Sequence, residues 1–247
     1  MIGPSRTPQP GAPESVSDLL VEMDRLGIAE ALVYHSVARW YSPTDGNAAL
    51  LQELKGNPRL HPCWVVVPHH AGEMPSPADL VKQMLDAGVR AARVFPEEHF
   101  FFLEPWCFGE TLAALAEARI PLLVDWGKRH WSEALRGWPA IQQVCEAFPQ
   151  LPVIVVREGI AVDRFVGALI ARHQKLFLET SYYMGHRALE TFVGRFGAER
   201  LLFGTGMPLY DPSEPIGMLL TSGLNGDAAR SIAGGNLRRL LNAVRPS

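Results

Sequence analysis

The chain has few cysteines, no long apolar run and no excess of either charge. Cys63, Cys107 and Cys145 are far apart and form no Cys-x-x-Cys pair, which argues against a disulfide framework or a cysteine-based zinc site. No apolar run approaches the roughly 20 residues that cross a bilayer, and the first residues lack the apolar segment of a signal peptide. We therefore predict a cytoplasmic protein that does not bind membranes.

The charge balance argues against nucleic acid as a partner. Lysine and arginine total 23, aspartate and glutamate total 26, and the formal net charge is −3. A nucleic-acid-binding domain normally carries a basic surface, which this composition does not favour. With 247 residues, of which 47% are hydrophobic, the chain can instead bury one large core. An α/β barrel typically takes about 250 residues, so a single barrel domain is compatible with this length.

Short apolar runs alternate with helical patterns along most of the chain. Residues 1–14 are rich in proline and glycine and predict an irregular arm, followed by one domain over residues 15–247. Capping boxes begin helices at Ser15 and Ser76, where the serine side chain accepts from an otherwise unpaired backbone N–H. Strands are predicted at 29–34, 61–67, 89–95, 120–124, 152–156, 176–178 and 201–203. This alternation is typical of a parallel sheet covered by helices.

The count gives seven strands and eight helices, and the first predicted element is a helix. A closed (β/α)8 barrel needs eight strands, because an open parallel sheet leaves backbone donors and acceptors unpaired. The predicted fold is therefore an α/β, TIM-barrel-like domain that lacks its first strand. Two explanations stay open: the chain starts too late to include this strand, or the barrel is open on one side. We expect the arm 1–14, or a second copy of the chain, to cover the open edge.

Three stretches occur in an order that points to one protein family. They are Leu-Leu-Val-Glu-Met-Asp-Arg-Leu-Gly-Ile (19–28), Glu-Arg-Leu-Leu-Phe-Gly-Thr-Gly-Met-Pro (199–208) and Gly-Gly-Asn-Leu-Arg-Arg-Leu-Leu (234–241). They resemble the entry into strand two, the last strand and the ending of the amidohydrolase-related family (amidohydrolase family 2) of metal-dependent TIM-barrel enzymes. The resemblance implies hydrolysis or decarboxylation of a small organic molecule, with zinc or another divalent metal as the family's usual cofactor.

The positions at which that family binds its metal carry other residues here. The family pattern has a His-x-His after strand one, histidines after strands five and six, and an aspartate after strand eight. The strand-one pair is absent, and the later positions are Asp125, Arg157 and Gly206, of which only the first has a side chain that can ligate a metal. His69 and His70 are neighbours in a segment expected to be extended, where adjacent side chains point in opposite directions. We therefore expect no metal site and no cofactor.

Charged residues at the predicted strand ends form a candidate site. Arg93 in strand four and Arg157 after strand six are suited to bidentate binding of a carboxylate or phosphate. His35 and Asp125, after strands two and five, are candidates for acid/base catalysis. The alternative is a structural role for each residue, for example as an ion pair between Asp125 and Arg157 across the mouth of the barrel.

Further substrate contacts are expected around the same mouth. Glu179 ends strand seven, and Asp211 either enters the space left by Gly206 or forms a turn before Pro212. Trp126 and Tyr182 belong to a group of aromatic residues near strand ends, which predicts a mostly apolar pocket for a small molecule. The other members of this group are Tyr34, Trp40, Tyr41, Trp106, Trp131, Tyr183 and Tyr210.

The sequence thus predicts an amidohydrolase-like barrel that acts on or binds a small organic carboxylate. As an enzyme it would be a hydrolase or decarboxylase without the usual metal centre, and the resemblance favours a hydrolase. The alternative is a barrel that has lost catalysis and serves as a ligand-binding or interaction protein. Both hypotheses predict a pocket, and a measured turnover separates them.

Overall fold

Eight short parallel strands alternate with helices in the computed structural model, which describes residues 1–6, 10–126, 135 and 137–245. The strands are β1 Ala31–Val33, β2 Leu60–Pro62, β3 Trp64–Val65, β4 Ala92–Val94, β5 Leu122–Val124, β6 Val153–Val155, β7 Leu176–Glu179 and β8 Leu201–Leu202. Strands β1 and β2 pair with each other, and β3 to β8 form a parallel sheet in chain order. Sequential parallel pairing of this kind is the arrangement of a TIM barrel.

Helices follow nearly every strand, and the described residues form eleven of them rather than the predicted eight. They are α1 Val16–Leu26, α2 Ser36–Trp40, α3 Pro43–Glu53, α4 Pro77–Asp86, α5 Pro105–Glu117, α6 Trp138–Ala147, α7 Asp163–Arg172, α8 Ala188–Phe196, α9 Ser213–Thr221, α10 Gly226–Arg230 and α11 Asn236–Asn242. The predicted capping box at Ser15 is confirmed, since Ser15 accepts from the Asp18 N–H while the Asp18 carboxylate accepts from the Ser15 N–H. At Ser76 the helix cap is confirmed, since Ser76 accepts from the Asp79 N–H, but the Asp79 carboxylate accepts from the Ser76 hydroxyl rather than from its N–H. Among the described helices, none is long and apolar enough to cross a membrane.

The strand predicted at 61–67 would be the third strand of an eight-stranded barrel, and it is divided into β2 and β3 at Cys63. The Cys63 N–H still donates to Val33 of β1, at 2.8 Å, whereas the Trp64 N–H donates to Ala91 on the other side, at 3.1 Å. The chain therefore changes partner within one strand. Counted as barrel strands, β2 and β3 are one, and the prediction of seven strands is confirmed. The predicted strands four to eight correspond to β4 to β8.

The division of this strand leaves the backbone of Val65 without a strand partner on one side, and Asn47 takes that place. The Asn47 side chain in α3 donates to the Val65 carbonyl at 2.8 Å and accepts from its N–H at 2.9 Å. Asn47 is buried, so both ends of its amide are satisfied away from water. A single side chain thus completes the hydrogen bonding of the strand edge.

Residues at the start of the arm lie along the open side of the barrel, as expected. The Ile2 N–H donates to the Tyr34 carbonyl at 3.1 Å, and the Ile2 carbonyl accepts from Ser36 at 2.8 Å, which makes a parallel bridge beside β1. The Met1 nitrogen donates to the Met207 carbonyl, in the loop after β8, at 3.4 Å. Ile2 is fully buried. The part of the prediction that assigned the arm to this edge is confirmed, and coverage by a second copy stays a prediction.

Side chains alternate between the two faces of the barrel. In β5, Leu122 and Val124 belong to the core between strands and helices, whereas Leu123 belongs to the core inside the barrel. Inward side chains of neighbouring strands, such as Ile154 and Phe177, fill the interior with it. This period of two decides which side chains reach the mouth of the barrel at the carboxyl ends of the strands.

We predict that Gly46→Ala destabilises the fold whereas Gly194→Ala does not. Gly46 lies in α3 where it crosses α2, and a Cβ there would be 2.0 Å from the backbone nitrogen of Ala38. The collision should lower the free energy of unfolding by about 1–3 kcal/mol. At Gly194 in α8 a Cβ meets nothing within 4 Å, so alanine should raise that free energy by up to about 1 kcal/mol. Urea denaturation measures both changes, and equal shifts in one direction would contradict the packing argument.

Candidate functional site

Strand register brings three charged side chains to the inside of the barrel mouth. Arg93 in β4 pairs in register with Leu123, which faces inward. Asp125 lies two residues beyond Leu123, and Glu179 lies two residues beyond the inward-facing Phe177 in β7. Because side chains alternate along a strand, all three share the inner face. The alternation of side chains along the strands therefore brings these three charged groups to one place.

The carboxylate of Asp125 lies between two guanidinium groups. Arg157 Nε is 3.0 Å from each carboxylate oxygen, and Nη2 groups of both Arg157 and Arg93 also donate to it. The side chains of Asp125, Arg157 and Arg93 are 1%, 4% and 13% exposed. Burial alone would raise the pKa of Asp125, but the charges of Arg93 and Arg157 outweigh it and hold the pKa well below its usual range. Asp125 is therefore a permanent anion within a cluster of net charge +1.

Arg157 reaches Asp125 because its backbone departs from the strand. Val153 and Val155 of β6 face the helices while Ile154 and Val156 face inward, so plain alternation would direct residue 157 outward. Its φ of 60° places it in the left-handed region, which non-glycine residues seldom adopt. Such conformations cost about 1–3 kcal/mol and persist where surrounding contacts enforce them. Here the ion pair with Asp125 is the contact that holds it.

Glu179 is a second buried carboxyl group next to this cluster. It accepts from the Ser181 N–H at 2.8 Å, from the Ser181 hydroxyl at 2.7 Å and from the Arg157 N–H at 3.2 Å. A Cβ on Gly204, in the loop after β8, would lie 1.6 Å from its Oε1, so a larger residue there would displace the carboxylate. Burial raises the pKa of Glu179 above its usual range, although these hydrogen bonds oppose the shift. Glu179 therefore favours the protonated form more than an exposed glutamate does.

Arg39 in α2 is part of the same region, and the sequence analysis missed it. Its guanidinium lies over the ring of Phe95 at 4.8 Å, and that of Arg93 lies over the same ring at 5.2 Å. Arg39 Nε donates to Glu98 at 2.7 Å. The sequence could have indicated this position, because Arg39 lies four residues after His35 in a short helix that begins at the strand end. One helical turn returns the chain toward the mouth.

Two of these guanidinium N–H groups lack acceptors. Arg93 Nε and Arg39 Nη1 are both buried, and neither has a hydrogen-bond partner within the part of the chain that the structure describes. Buried polar groups in native proteins nearly always have partners, in the form of protein atoms, water or a bound molecule. Two such donors near the same aromatic ring are suited to bind an acceptor with several oxygens.

His35 is placed differently from the arginine cluster. Its Nδ1 accepts from the Val37 N–H at 3.1 Å and so begins helix α2, and its Nε2 is 3.2 Å from the Glu53 carboxylate. The side chain is buried, and both ring nitrogens are engaged in these two contacts. The acid/base role of His35 stays a prediction, as does that of Asp125, whose low pKa makes it a weak base.

The other predicted substrate contacts lie around the mouth with varied surroundings. Trp126 follows Asp125 and is buried, whereas Tyr182 is partly exposed, with its ring 5.1 Å from that of Tyr210. Asp211 is exposed and accepts from the Ser213 N–H at 2.8 Å, which is the arrangement of a turn-forming aspartate. Their roles in substrate binding stay predictions. Trp131 lies in a segment, 127–134, that the structure does not describe.

The residues at the metal positions of the resembled family do not fit a metal ion. Both carboxylate oxygens of Asp125 accept from guanidinium groups, and a cation beside them would face the positive charges of Arg93 and Arg157. Gly206 has a φ of 69°, and a Cβ on it would lie 2.8 Å from Cδ2 of Tyr210. Tyr210, rather than Asp211, therefore occupies the space next to this glycine.

Comparison with known proteins supports the fold and the family. A family model described as amidohydrolase matches residues 6–243. An uncharacterised TIM-barrel protein from Bordetella bronchiseptica has a TM-score of 0.73 and 21% identity, over 93% of this chain and 83% of that one. The 5-carboxyvanillate decarboxylase of Sphingomonas paucimobilis has a TM-score of 0.72 and 16% identity, over 97% of this chain and 87% of that one. The curated proteins offer no match to this sequence.

A third similar structure contains a metal. It is the 5-carboxyvanillate decarboxylase of Novosphingobium aromaticivorans, complexed with manganese and 4-hydroxy-3-methoxy-5-nitrobenzoic acid. Its TM-score is 0.70 with 14% identity, over 91% of this chain and 79% of that one. At such identities the likeness shows a common TIM-barrel fold.

Two findings contradict the expectation of no metal site and no cofactor. One is the manganese in that similar structure. The other is that His69, His70 and Glu110 bring ligand atoms within 4.8 Å of one another. His69 and His70 were expected to point in opposite directions from an extended segment, but they lie in a 3-10 helix, His69–Ala71. There, successive side chains are about 120° apart, and the two rings have centroids separated by 4.0 Å.

We predict that Asp125→Asn lowers the free energy of unfolding by about 3–5 kcal/mol, because it leaves two buried guanidinium groups without their shared counter-ion. Asparagine keeps the shape of the side chain, so the decrease in the free energy of unfolding reports the removed charge. Asp211→Asn is the control, since a substitution in this exposed turn should change the free energy of unfolding by less than about 0.5 kcal/mol. Chemical denaturation at neutral pH measures both variants. A loss below about 1 kcal/mol for Asp125→Asn would show that the cluster is not electrostatically coupled.

The raised pKa of Glu179 predicts a specific pH dependence of stability. A carboxyl group whose pKa is higher in the folded state contributes stability below its unfolded pKa, about 4.3, and this contribution is lost as pH rises through the folded value. Glu179→Gln should remove that loss, so the stability of the variant relative to wild type should increase as pH rises. Denaturation across a pH series measures this. A difference that stays constant with pH for Glu179→Gln would contradict the assignment.

Proposed function

Because the chain belongs to the amidohydrolase family, we propose that it is an enzyme acting on a small aromatic carboxylate at the carboxyl end of its barrel. We propose decarboxylation as the reaction. Two of the similar structures are 5-carboxyvanillate decarboxylases, and this likeness supports the proposal without identifying the substrate.

The observation that carries the proposal is a pair of buried guanidinium donors, Arg93 Nε and Arg39 Nη1, for which the described residues provide no acceptor. A carboxylate has two oxygens and accepts from such donors in short, charge-assisted hydrogen bonds. Charge favours the same ligand. The Arg39 charge is offset by Glu98, whereas Arg93, Arg157 and Asp125 together carry +1. A monoanion would neutralise this cluster.

Aromatic rings beside the donors favour an aromatic acid. The Arg93 guanidinium lies 4.5 Å from the centroid of the Tyr34 ring and 5.2 Å from that of Phe95. A carboxylate bound to Arg93 and Arg39 would have these rings next to the carbon that bears it. Rings prefer offset or edge contacts with other rings, so a planar aromatic acid suits these surroundings better than a flexible aliphatic one.

Glu179 is the group suited to supply the proton that decarboxylation requires. The bond between the ring carbon and the carboxyl carbon breaks, its electron pair stays on the ring carbon, and CO2 leaves. A proton must then be added to that carbon, and Glu179 is a buried acid with a raised pKa close to Arg157. Water restores the proton on Glu179 afterwards. Asp125 remains ionised throughout and orients the two arginines.

The test is a decarboxylation assay on a panel of hydroxylated benzoic acids, with CO2 release as the signal. We expect Glu179→Gln to lower kcat by about 10²–10⁴-fold with little change in KM, since it removes the proton donor. Arg39→Ala should raise KM about tenfold to a hundredfold, the equivalent of losing a charged hydrogen bond of roughly 1.5–3 kcal/mol. Arg25→Ala is the matched control, because Arg25 also pairs with a glutamate but is exposed.

A specific observation favours the alternative of a binding protein without turnover. The side chains of Asp125 and Arg157 are almost completely buried and bind each other through several hydrogen bonds. If the acids stabilise the wild type in thermal-shift measurements but no CO2 is released, the decarboxylase proposal is overturned and the binding alternative is supported. If acids and their neutral amides give equal shifts, the carboxylate site itself is contradicted.

A further inference from the structure

We propose that His69, His70 and Glu110 form a binding site for a divalent transition-metal ion, such as Zn²⁺, at the outer rim of the carboxyl end of the barrel. The three side chains belong to two different connections: the histidines follow β3, and Glu110 lies in α5, which follows β4. The inference is independent of the proposed decarboxylation.

The donor set is the first argument. Two imidazoles and one carboxylate can each offer one ligand atom, and these atoms lie within 4.8 Å of one another. Imidazole nitrogens suit zinc, copper, iron and nickel, whereas magnesium and calcium prefer oxygen ligands alone. Three protein ligands leave one position of a tetrahedral ion for water or another oxygen, as in catalytic zinc sites.

The spacing between two of the ligands is the second argument. His69 Nε2 is 3.4 Å from the nearer carboxylate oxygen of Glu110. Zinc–ligand bonds of about 2.0–2.1 Å in a tetrahedron separate the ligand atoms by roughly 3.3 Å. An ordinary exposed histidine–glutamate pair in this protein is closer, since His61 Nε2 lies 2.7 Å from Glu30. The 3.4 Å at Glu110 is close to the separation of two ligands on one ion, and it is similar to the 3.2 Å between His35 Nε2 and Glu53.

The backbone holds the two histidines in place, which is the third argument. The 3-10 helix that contains them ends at Gly72, whose N–H donates to the His69 carbonyl at 2.9 Å. The Thr44 hydroxyl donates to the Glu73 carbonyl at 2.7 Å and so ties the segment to helix α3. Glu110 lies in the regular helix α5. Ligands on ordered backbone lose little entropy when an ion binds.

The test uses untagged protein, because a histidine tag would bind the same ions. Isothermal titration with ZnCl2 should give one site per chain in the wild type. His70→Ala and Glu110→Gln should each weaken this binding at least tenfold, since even partners that only support a ligand typically contribute tenfold to a hundredfold. His61→Ala should leave it unchanged, although that variant also removes a histidine paired with a glutamate. Glu110 is exposed, so its variant should fold normally, and circular dichroism checks this.

Visible absorption of Co²⁺ provides a second measurement on the same proteins. A four-coordinate Co²⁺ ion absorbs far more strongly than a six-coordinate one, so the wild type and His61→Ala should develop this signal and the two site variants should not. Affinity for Zn²⁺ that is equal in the wild type and in either site variant would overturn the proposal. Absence of saturable binding up to about 1 mM metal, a level of affinity too weak for a specific site, would also overturn it.

Discussion

The ion cluster around Asp125 is the interaction on which the mouth of the barrel depends. Charges buried in a protein interior are tolerated when they are paired, and Asp125 forms ion pairs with both Arg93 and Arg157 there. Arg157 meets Asp125 at the cost of a left-handed backbone, and this same backbone directs its N–H to Glu179. Glu179 in turn lies against Gly204, where a Cβ would displace its carboxylate. The cluster thereby links the ends of five neighbouring strands, β4 to β8.

The same cluster separates two kinds of chemistry on the carboxyl face. Guanidinium groups beside Asp125 attract anions and repel cations, so the centre of the mouth suits a carboxylate. The cation-binding residues of our inference lie instead on the rim, on the connections after β3 and β4, where His70 and Glu110 are exposed. Barrel folds change their chemistry by varying such connections while the strands keep their packing.

Two edges of the described strands have their backbone groups satisfied by hydrogen bonds from outside the sheets. Asn47 supplies to Val65 the donor and acceptor that a continuous neighbouring strand would supply. Ile2 does the same for the end of β1 through Tyr34 and Ser36. In both places a small number of polar atoms satisfies the buried backbone, and apolar side chains complete the packing.

The sequence by itself determined the fold class, the seven predicted strands, the family and the placing of Arg93, Asp125 and Glu179 on strands or at strand ends, because apolar periodicity is a local property. Only the tertiary structure decided which contacts those residues make. The inward turn of Arg157 depends on Asp125 from another strand, and the approach of Arg39 to Phe95 depends on how α2 packs. The grouping of His69 and His70 with Glu110 needed both a 3-10 helix and a neighbouring helix 40 residues later in the chain. Contacts between distant segments arise from packing, and no local pattern in the sequence encodes them.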